Sequence, residues 1–357
     1  MAAQYYPLAI QHIQRETEHC VAITLAVPAE LQPIFHYSPG QSVSIKATIH
    51  NQEVRRNYSI CTAPHQQRLT IAVKEVPGGL FSTYANRTLQ VGDVLQVLPP
   101  TGRFTTSIQP TQAHKYVAIA AGSGITPILS ILTTLLHHEP LSHCTLVYSN
   151  QNRSSIIFFE ALEALKNKYM NRLHIIHILS RQRTDVPLLY GRVTPAKLES
   201  LKGVINYPSI HKYFVCGPQD MIFATRDYLL TQGVLANSVH FELFAGTTPA
   251  KENTTTVVVN DATPKSMVTV QQDGRSTEFE LAYNTLSILD AAMQHNVDLP
   301  FACKGGVCCT CRAKLVTGEV HMEVNYALEP AEVANGYILT CQAKPISQVV
   351  VVNFDEQ

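Results

Sequence analysis

Short apolar, β-branched runs at 43–47, 69–73 and 94–97 mark the first hundred residues. Turn formers separate them: Ser38-Pro39-Gly40, Pro77-Gly78-Gly79 and Pro99-Pro100-Thr101-Gly102. Strands at that spacing with turn signals between them predict an antiparallel barrel or sandwich. The pattern changes at 116–121, a continuous apolar run followed by Gly122-Ser123-Gly124-Ile125-Thr126-Pro127 and a helical stretch to about His138. Further apolar runs at 144–148, 173–179 and 212–216 alternate with helix-length segments at 158–169 and 220–231. Buried strands alternating with helices predict a parallel sheet covered on both faces. Beyond Phe244 the stretch 245–265 has the polar make-up of a linker, although 256–260 could add a short strand. Strands at 267–271 and 277–281, a helix at 287–295 and closing strands near Lys314 and at 349–353 complete one small α+β module. The expected layout is multidomain: a β domain over 1–110, an α/β domain over 111–245, a linker over 246–264 and a module over 265–357.

With 357 residues, 45% of them apolar and 15% charged, the chain is long enough for two or three cores and too apolar for disorder. The formal net charge of zero gives no basic field for nucleic acid. No apolar run reaches the roughly 18 residues that cross a bilayer, and residues 1–14 lack the form of a secretion signal, so the expectation is a cytoplasmic protein without a membrane or nucleic-acid partner. Charge divides unevenly along the chain. Residues 265–357 carry a balance of −5 and the first 264 a balance of +5, as suits an acidic tail module that docks electrostatically on the body or on an outside partner.

Nine cysteines in a chain without a secretion signal argue against a disulfide framework, and four of them crowd into 303–311. Cys303, Cys308 and Cys311 follow the x4, x2 spacing of a plant-type [2Fe-2S] site, with Cys341 as the fourth ligand. Each ferric ion takes two thiolates, and Gly305 and Gly306 let backbone N–H groups approach the sulfurs. A zinc site or free thiols are the alternatives, but zinc ligands usually come as two separated close pairs. Cys309 falls outside the spacing and reads as a packing residue, as do Cys20, Cys61 and Cys144. The fifteen histidines show no metal spacing, His137-His138 being the one adjacent pair.

Arg56-Asn57-Tyr58-Ser59-Ile60 and Gly78-Gly79-Leu80-Phe81-Ser82 form a second constellation. An arginine fork suits phosphate and an aromatic face suits a flat ring. Alone, Arg-x-Tyr-Ser could be a cross-strand tyrosine beside a surface arginine. Pro39-Gly40-Gln41 and Pro100-x-Gly102-x-Phe104 flank it, however, and together these segments resemble the ferredoxin–NADP reductase superfamily. The resemblance implies that Arg56 meets the flavin pyrophosphate, Tyr58 packs on the isoalloxazine, Ser59 bonds near the flavin N5, and the loop of Gly78, Gly79, Leu80, Phe81 and Ser82 holds the diphosphate. FAD rather than FMN is implied by the resemblance alone.

Gly122, Gly124, Thr126 and Pro127 lie between an expected strand and an expected helix, where glycines admit a pyrophosphate to the helix N-terminus. An ordinary glycine turn is the alternative. Cys216-Gly217-Pro218-Gln219-Asp220-Met221 ends another strand, and two such turns at adjacent strand ends make the crevice where open α/β sheets bind ligands. In the family, the cysteine of such a segment stands beside the nicotinamide, so Cys216, Gly217 and Pro218 become cofactor contacts. Otherwise Cys216 is a buried thiol. Ser149, Arg153 and Arg181 follow the next two strands, where the family contacts a 2′-phosphate, and no acidic residue ends the strand at 146–150 to hold a ribose diol. NADPH is therefore favoured, with NADH possible and the arginines alternatively surface charges. Glu242 closes the nucleotide region, and the family places an acidic residue near nicotinamide and flavin there. Phe244 runs on into the linker, which puts a flavin-lid role in doubt.

The order of flavin barrel, nucleotide sheet and C-terminal β-grasp-like ferredoxin is similar to the oxygenase reductases whose ferredoxin is C-terminal. Within them the chain most resembles the reductase components of phenylacetyl-CoA ring-epoxidase complexes, through residues 56–60, 122–127, 304–312 (KGGVCCTCR) and 339–342 (LTCQ). The resemblance implies hydride transfer from NADPH to FAD with Ser59, Cys216 and Glu242 at the reacting centre. Single electrons then leave through the cluster to a di-iron or Rieske oxygenase. Alternatives are the reductase of a Rieske-type steroid or aromatic hydroxylase or of a hybrid-cluster protein, and an iron–sulfur carrier or redox sensor with a degenerate nucleotide site. The long linker suggests a ferredoxin domain that moves between flavin and partner.

Overall fold

The computed structural model describes residues 4–244 and 264–356, so the stretch read as a linker, with its strand at 256–260, lies outside the described residues apart from residue 264. Two compact units are present, one of Pro7–Val54 and Tyr58–Phe244, the other holding Arg55–Asn57 and the C-terminal module.

Six antiparallel strands come first along the chain: β1 (Tyr6–Thr17), β2 (Cys20–Ala26), β3 (Ser42–Ile49), β4 (Gln52–Ser59), β5 (Leu69–Lys74) and β6 (Val94–Val97). They hydrogen-bond in the order β4-β3-β6-β1-β2-β5. Just past β4, Ile60 bridges Ile71 of β5, which brings the two edge strands together and closes the sheet into a barrel. Gly40 and Phe104, from the flanking motifs noted in the sequence, meet here. A Cβ on Gly40 would stand 1.9 Å from the Phe104 carbonyl oxygen, so only glycine permits this approach. The eight-residue helix α1 (Leu80–Arg87) follows β5.

Five parallel strands come next: β7 (Lys115–Ala121), β8 (His143–Asn150), β9 (Leu173–Leu179), β10 (Lys212–Gly217) and β11 (Val239–Leu243). Their order is β11-β10-β7-β8-β9, so the chain reverses direction across the sheet between β7 and β10. Helices α2 (Ile125–His138), α3 (Phe159–Lys168), α4 (Pro195–Ser200) and α5 (Gln219–Thr231) connect the strands. Helix α2 is apolar on nearly every side because it is buried on nearly every side, from Ile125 through Leu136. Each fully buried Ile or Leu of this kind contributes about 1.5–3 kcal/mol. Barrel residues Ala22, Cys61, Ala72 and Phe104 join Ile128, Ile131 and Leu135 of α2 in one core. Barrel and parallel sheet are thereby fixed against each other. Cys20, Cys61 and Cys144 are buried in that core, and burial pushes Cys20 and Cys144 up to about 12, which makes them inert packing thiols.

The C-terminal unit holds β12 (Lys265–Gln272), β13 (Arg275–Ala282), α6 (Ile288–Gln294), β14 (Arg312–Thr317), β15 (Val320–Met322), α7 (Pro330–Ala334), β16 (Tyr337–Leu339), β17 (Ala343–Pro345) and β18 (Val349–Asn353). Its main sheet runs β13-β12-β18-β14-β16, with β12 and β18 parallel and central, the order of a β-grasp. Ser287 starts α6 by accepting a hydrogen bond from the Asp290 N–H at 3.1 Å. Ile288, Leu289 and Ala292 then point into a core with Val268, Val270 and Val352. No helix among the described residues is long and apolar enough to cross a membrane.

Candidate functional site

In the C-terminal unit, residues 303–311 form turns rather than a regular element, which leaves their N–H groups available. The turn depends on left-handed backbone at Lys304 (φ 50°) and Gly306 (φ 70°). A Cβ at Gly306 would lie 2.7 Å from the Val324 carbonyl oxygen. This folding brings Cys303, Cys308, Cys311 and Cys341 together, with Cys341 arriving from the segment after β16. The thiols touch in a chain: Cys303 meets both Cys308 and Cys341, and Cys341 also meets Cys311. Cys303 is held far below its usual value, first by hydrogen bonds from Cys308 and Cys341 and then by the N–H groups of Gly305, at 3.3 Å, and Val307. Cys308 and Cys341 are pushed up as the donating partners. The turn is built to hold negative charge on sulfur. Cys309 points elsewhere, half-buried, with its thiol donating to the Ala327 carbonyl at 3.4 Å. Two supporting side chains, Thr340 and Gln342, brace the loop: Thr340 Oγ1 donates to the Cys311 carbonyl at 3.0 Å and Gln342 Nε2 to the Lys304 carbonyl at 2.9 Å.

In the first unit, the reversal between β7 and β10 opens a crevice at the carboxyl ends of the strands. Gly122 to Gly124 form a 3-10 turn leading into α2, where Thr126 Oγ1 donates to the Ser123 carbonyl at 3.0 Å and Pro127 is buried. A Cβ on Gly124 would stand 2.1 Å from the Cys216 carbonyl oxygen, so the two glycine turns pack backbone to backbone. Gly217 ends β10, and Pro218 caps α5. Cys216 is fully buried, and burial pushes its thiol well above the usual value, which keeps it a neutral thiol.

Register brings the third component in. Cys216 lies beside Glu242 on β11, and Ser59 at the end of β4 donates to Glu242 Oε2 at 2.8 Å. Burial pushes Glu242 up to about 7, opposed by the hydrogen bond from Ser59. Tyr58 stands next to Ser59 with its ring 5.5 Å from that of Phe81 in α1. Gly78 and Gly79 precede α1, and Ser82 Oγ accepts the Val76 N–H at 3.2 Å while donating to Gly79, which fixes the entry to the helix. Leu80 opens α1, and Arg56 is exposed on β4, its Nη1 donating to the Arg55 carbonyl at 2.8 Å.

Ser149 is buried inside β8, one residue before its end, rather than following the strand. Arg153 and Arg181 lie on neighbouring loops at the sheet's carboxyl end, both exposed. The loops are joined by the Arg181 N–H to the Gln151 carbonyl at 2.8 Å and the Arg153 N–H to Gln182 Oε1 at 2.9 Å. One residue with no signal in the sequence also faces the crevice: Lys74 Nζ lies 3.5 Å from where a Cβ of Gly122 would be, a cation over the first glycine turn.

The comparisons with known proteins agree with these parts. Family models match in three consecutive blocks: the oxidoreductase FAD-binding domain over 7–106, the oxidoreductase NAD-binding domain over 118–227 and the 2Fe-2S iron-sulfur cluster binding domain over 270–345. The chain is 43% identical over 352 residues to one of the component chains of 1,2-phenylacetyl-CoA epoxidase from Escherichia coli (strain K12), covering 98% of each chain. It is 33% identical to the ferredoxin reductase component of 3-ketosteroid-9-alpha-monooxygenase from Mycobacterium tuberculosis (strain ATCC 25618 / H37Rv), covering 98% of this chain and 96% of the other. The fold matches phthalate dioxygenase reductase with a TM-score of 0.61 at 24% identity over 98% of both chains.

Proposed function

Because this chain belongs to the family of oxygenase reductases that carry FAD-, NAD- and [2Fe-2S]-binding domains, we propose that it takes electrons from NADPH and delivers them to a di-iron epoxidase acting on phenylacetyl-CoA. The near end-to-end identity of 43% to the Escherichia coli epoxidase component carries this choice of acceptor. Bound FAD would accept a hydride and release its electrons singly, and the cluster would pass them on one at a time.

The protein's own groups have distinct tasks. Gly122, Gly124, Thr126 and Pro127 would present the N-terminus of α2 to the dinucleotide pyrophosphate, with Lys74 adding positive charge. Gly217 and Pro218 would leave room for the nicotinamide beside Cys216, while Ser149, Arg153 and Arg181 would receive the 2′-phosphate. Arg56 and the turn of Gly78, Gly79, Leu80, Phe81 and Ser82 would hold the flavin diphosphate, and Tyr58 would cover the ring. Ser59 and Glu242 form a link that can hold or release a proton near neutral pH, since Glu242 is poised at about 7. Cys303 with Cys308, and Cys311 with Cys341, would each serve one iron.

The test is anaerobic titration with NADPH and NADH, then turnover with purified oxygenases. Flavin and cluster bands bleaching together with NADPH, and product formed only with the di-iron epoxidase, support the proposal. Bleaching of the cluster by dithionite alone would leave an iron–sulfur carrier. A second reading, reductase of a Rieske hydroxylase, is favoured by the 33% identity to the 3-ketosteroid-9-alpha-monooxygenase component, and turnover with that class of oxygenase would select it. The composition and the helix lengths support a cytoplasmic setting.

A further inference from the structure

The histidine spacing in the sequence points to no metal site, but the fold brings His65 over the adjacent pair His137 and His138. One imidazole nitrogen from each of the three lies within 4.8 Å of the others. The His65 and His137 rings stack at 4.0 Å, and His138 stands edge-on to both at 5.3 and 4.6 Å. All three are exposed, and among the described residues no hydrogen bond or ion pair engages their nitrogens. We propose that His65, His137 and His138 form a surface site for a divalent transition ion of the imidazole-preferring class, with Zn2+ as the ligand, completed by water.

The chemistry and the scaffold favour such an ion. Imidazole nitrogen is the donor that zinc, copper and nickel share. A tetrahedral zinc with bonds of about 2.0–2.1 Å places its nitrogens roughly 3.4 Å apart, within reach of a small rotation of exposed side chains. The donors come from two elements that are fixed against each other. His65 sits in the 3-10 turn Pro64–Gln66, whose Gln66 side chain accepts the Ala63 N–H at 2.8 Å. Ser130 of α2 donates to the Thr62 carbonyl at 2.6 Å, tying that loop to the helix. His137 and His138 end the 14-residue α2, where the helix dipole favours a cation. Lys168 is the charged neighbour that opposes it.

An ion held there would clip the segment that follows Ser59 to the helix that starts at the Gly122 turn. It would brace the flavin strand against the nucleotide sheet from the end of α2 opposite the Gly122 turn.

The experiment uses the full chain with flavin and cluster bound. Zinc is titrated in competition with a chromogenic indicator, and thermal unfolding is followed with and without the ion. One equivalent per chain is expected, removable by a chelator without loss of the flavin and cluster bands, together with a higher unfolding temperature. His65→Ala and His137→Ala should each weaken binding at least about tenfold, a loss that even outer partners of a metal site produce. The exposed His174→Ala should leave it unchanged. The proposal is overturned if no stoichiometric equivalent binds, or if binding survives intact in His65→Ala, which would mean the adjacent pair alone captures zinc adventitiously.

Discussion

The cysteine turn and the crevice of the parallel sheet are built by opposite means. Three of the four thiols fall within residues 303–311, and a local backbone turn gathers them without strand pairing. The crevice instead depends on partners far apart in sequence: Ser59 and Glu242 are 183 residues apart and meet only because the barrel packs against the parallel sheet. A local site concentrates its chemistry in ligands that nothing else replaces. A site made by register spreads its chemistry over backbone approach, one desolvated carboxyl and exposed cations. Damage to the first should therefore be all or none, and damage to the second graded.

The sharpest break is Cys341→Ala, which removes one of the linked thiols and leaves no donor atom in its place while leaving the first unit intact. Cluster absorption and its paramagnetic signal should vanish, and electron delivery to the oxygenase should fall by more than about 100-fold, beyond the loss typical of outer-sphere partners. NADPH oxidation with ferricyanide should persist. A full complement of cluster in this variant would remove Cys341 from the ligand set. Next in size is Gly124→Ala. Its Cβ would collide with the Cys216 carbonyl at 2.1 Å and part the two turns, and a misplacement of about 1 Å costs about 100-fold in hydride transfer. Stopped-flow reduction of the flavin measures it, and an unchanged rate would show that the turns need not touch. Smaller again is Arg153→Ala, which should weaken NADPH by about tenfold, the value of one charge-assisted hydrogen bond, while sparing NADH. Equal losses with both nucleotides would move the 2′-phosphate elsewhere.

The same contrast explains what could be read in advance. Strands with continuous apolar character, such as β7 and β10, and the apolar helix α2 were legible because burial on both faces leaves an unbroken signature. Helix α1 was not. Its buried face mixes Phe81 and Ala85 with Ser82 and Asn86, and Asn86 is hidden only because its amide donates to the Val73 and Ser82 carbonyls at 2.9 Å. Strand β11 was missed for a related reason, since its half-buried middle holds His240 and Glu242. The cysteine spacing and the glycine turns stood out in the chain. The role of Lys74 did not, because a lysine at a strand end has no feature that distinguishes it from a solvated one. His65 beside His137 and His138 was invisible for the reason Ser59 beside Glu242 was: contact across folded elements leaves no spacing behind.

Glu242 offers the finest probe of the crevice, through stability rather than turnover. Its carboxyl sits at about 7 in the folded protein against an ordinary 4.5, because burial disfavours the charged form. The folded state thus binds the proton more tightly than the unfolded chain does. Stability from this group is fully present below about pH 4.5 and is lost as pH rises through 7. Glu242→Gln lacks that titration, so the unfolding temperature of the wild type, followed by release of flavin fluorescence, should fall relative to the variant across that window and run parallel to it above. A difference of a few degrees is the expected scale for a unit of this size. Parallel curves throughout would mean that the Ser59 hydrogen bond offsets the burial, leaving the carboxyl charged at neutral pH and unable to hold a proton beside the flavin.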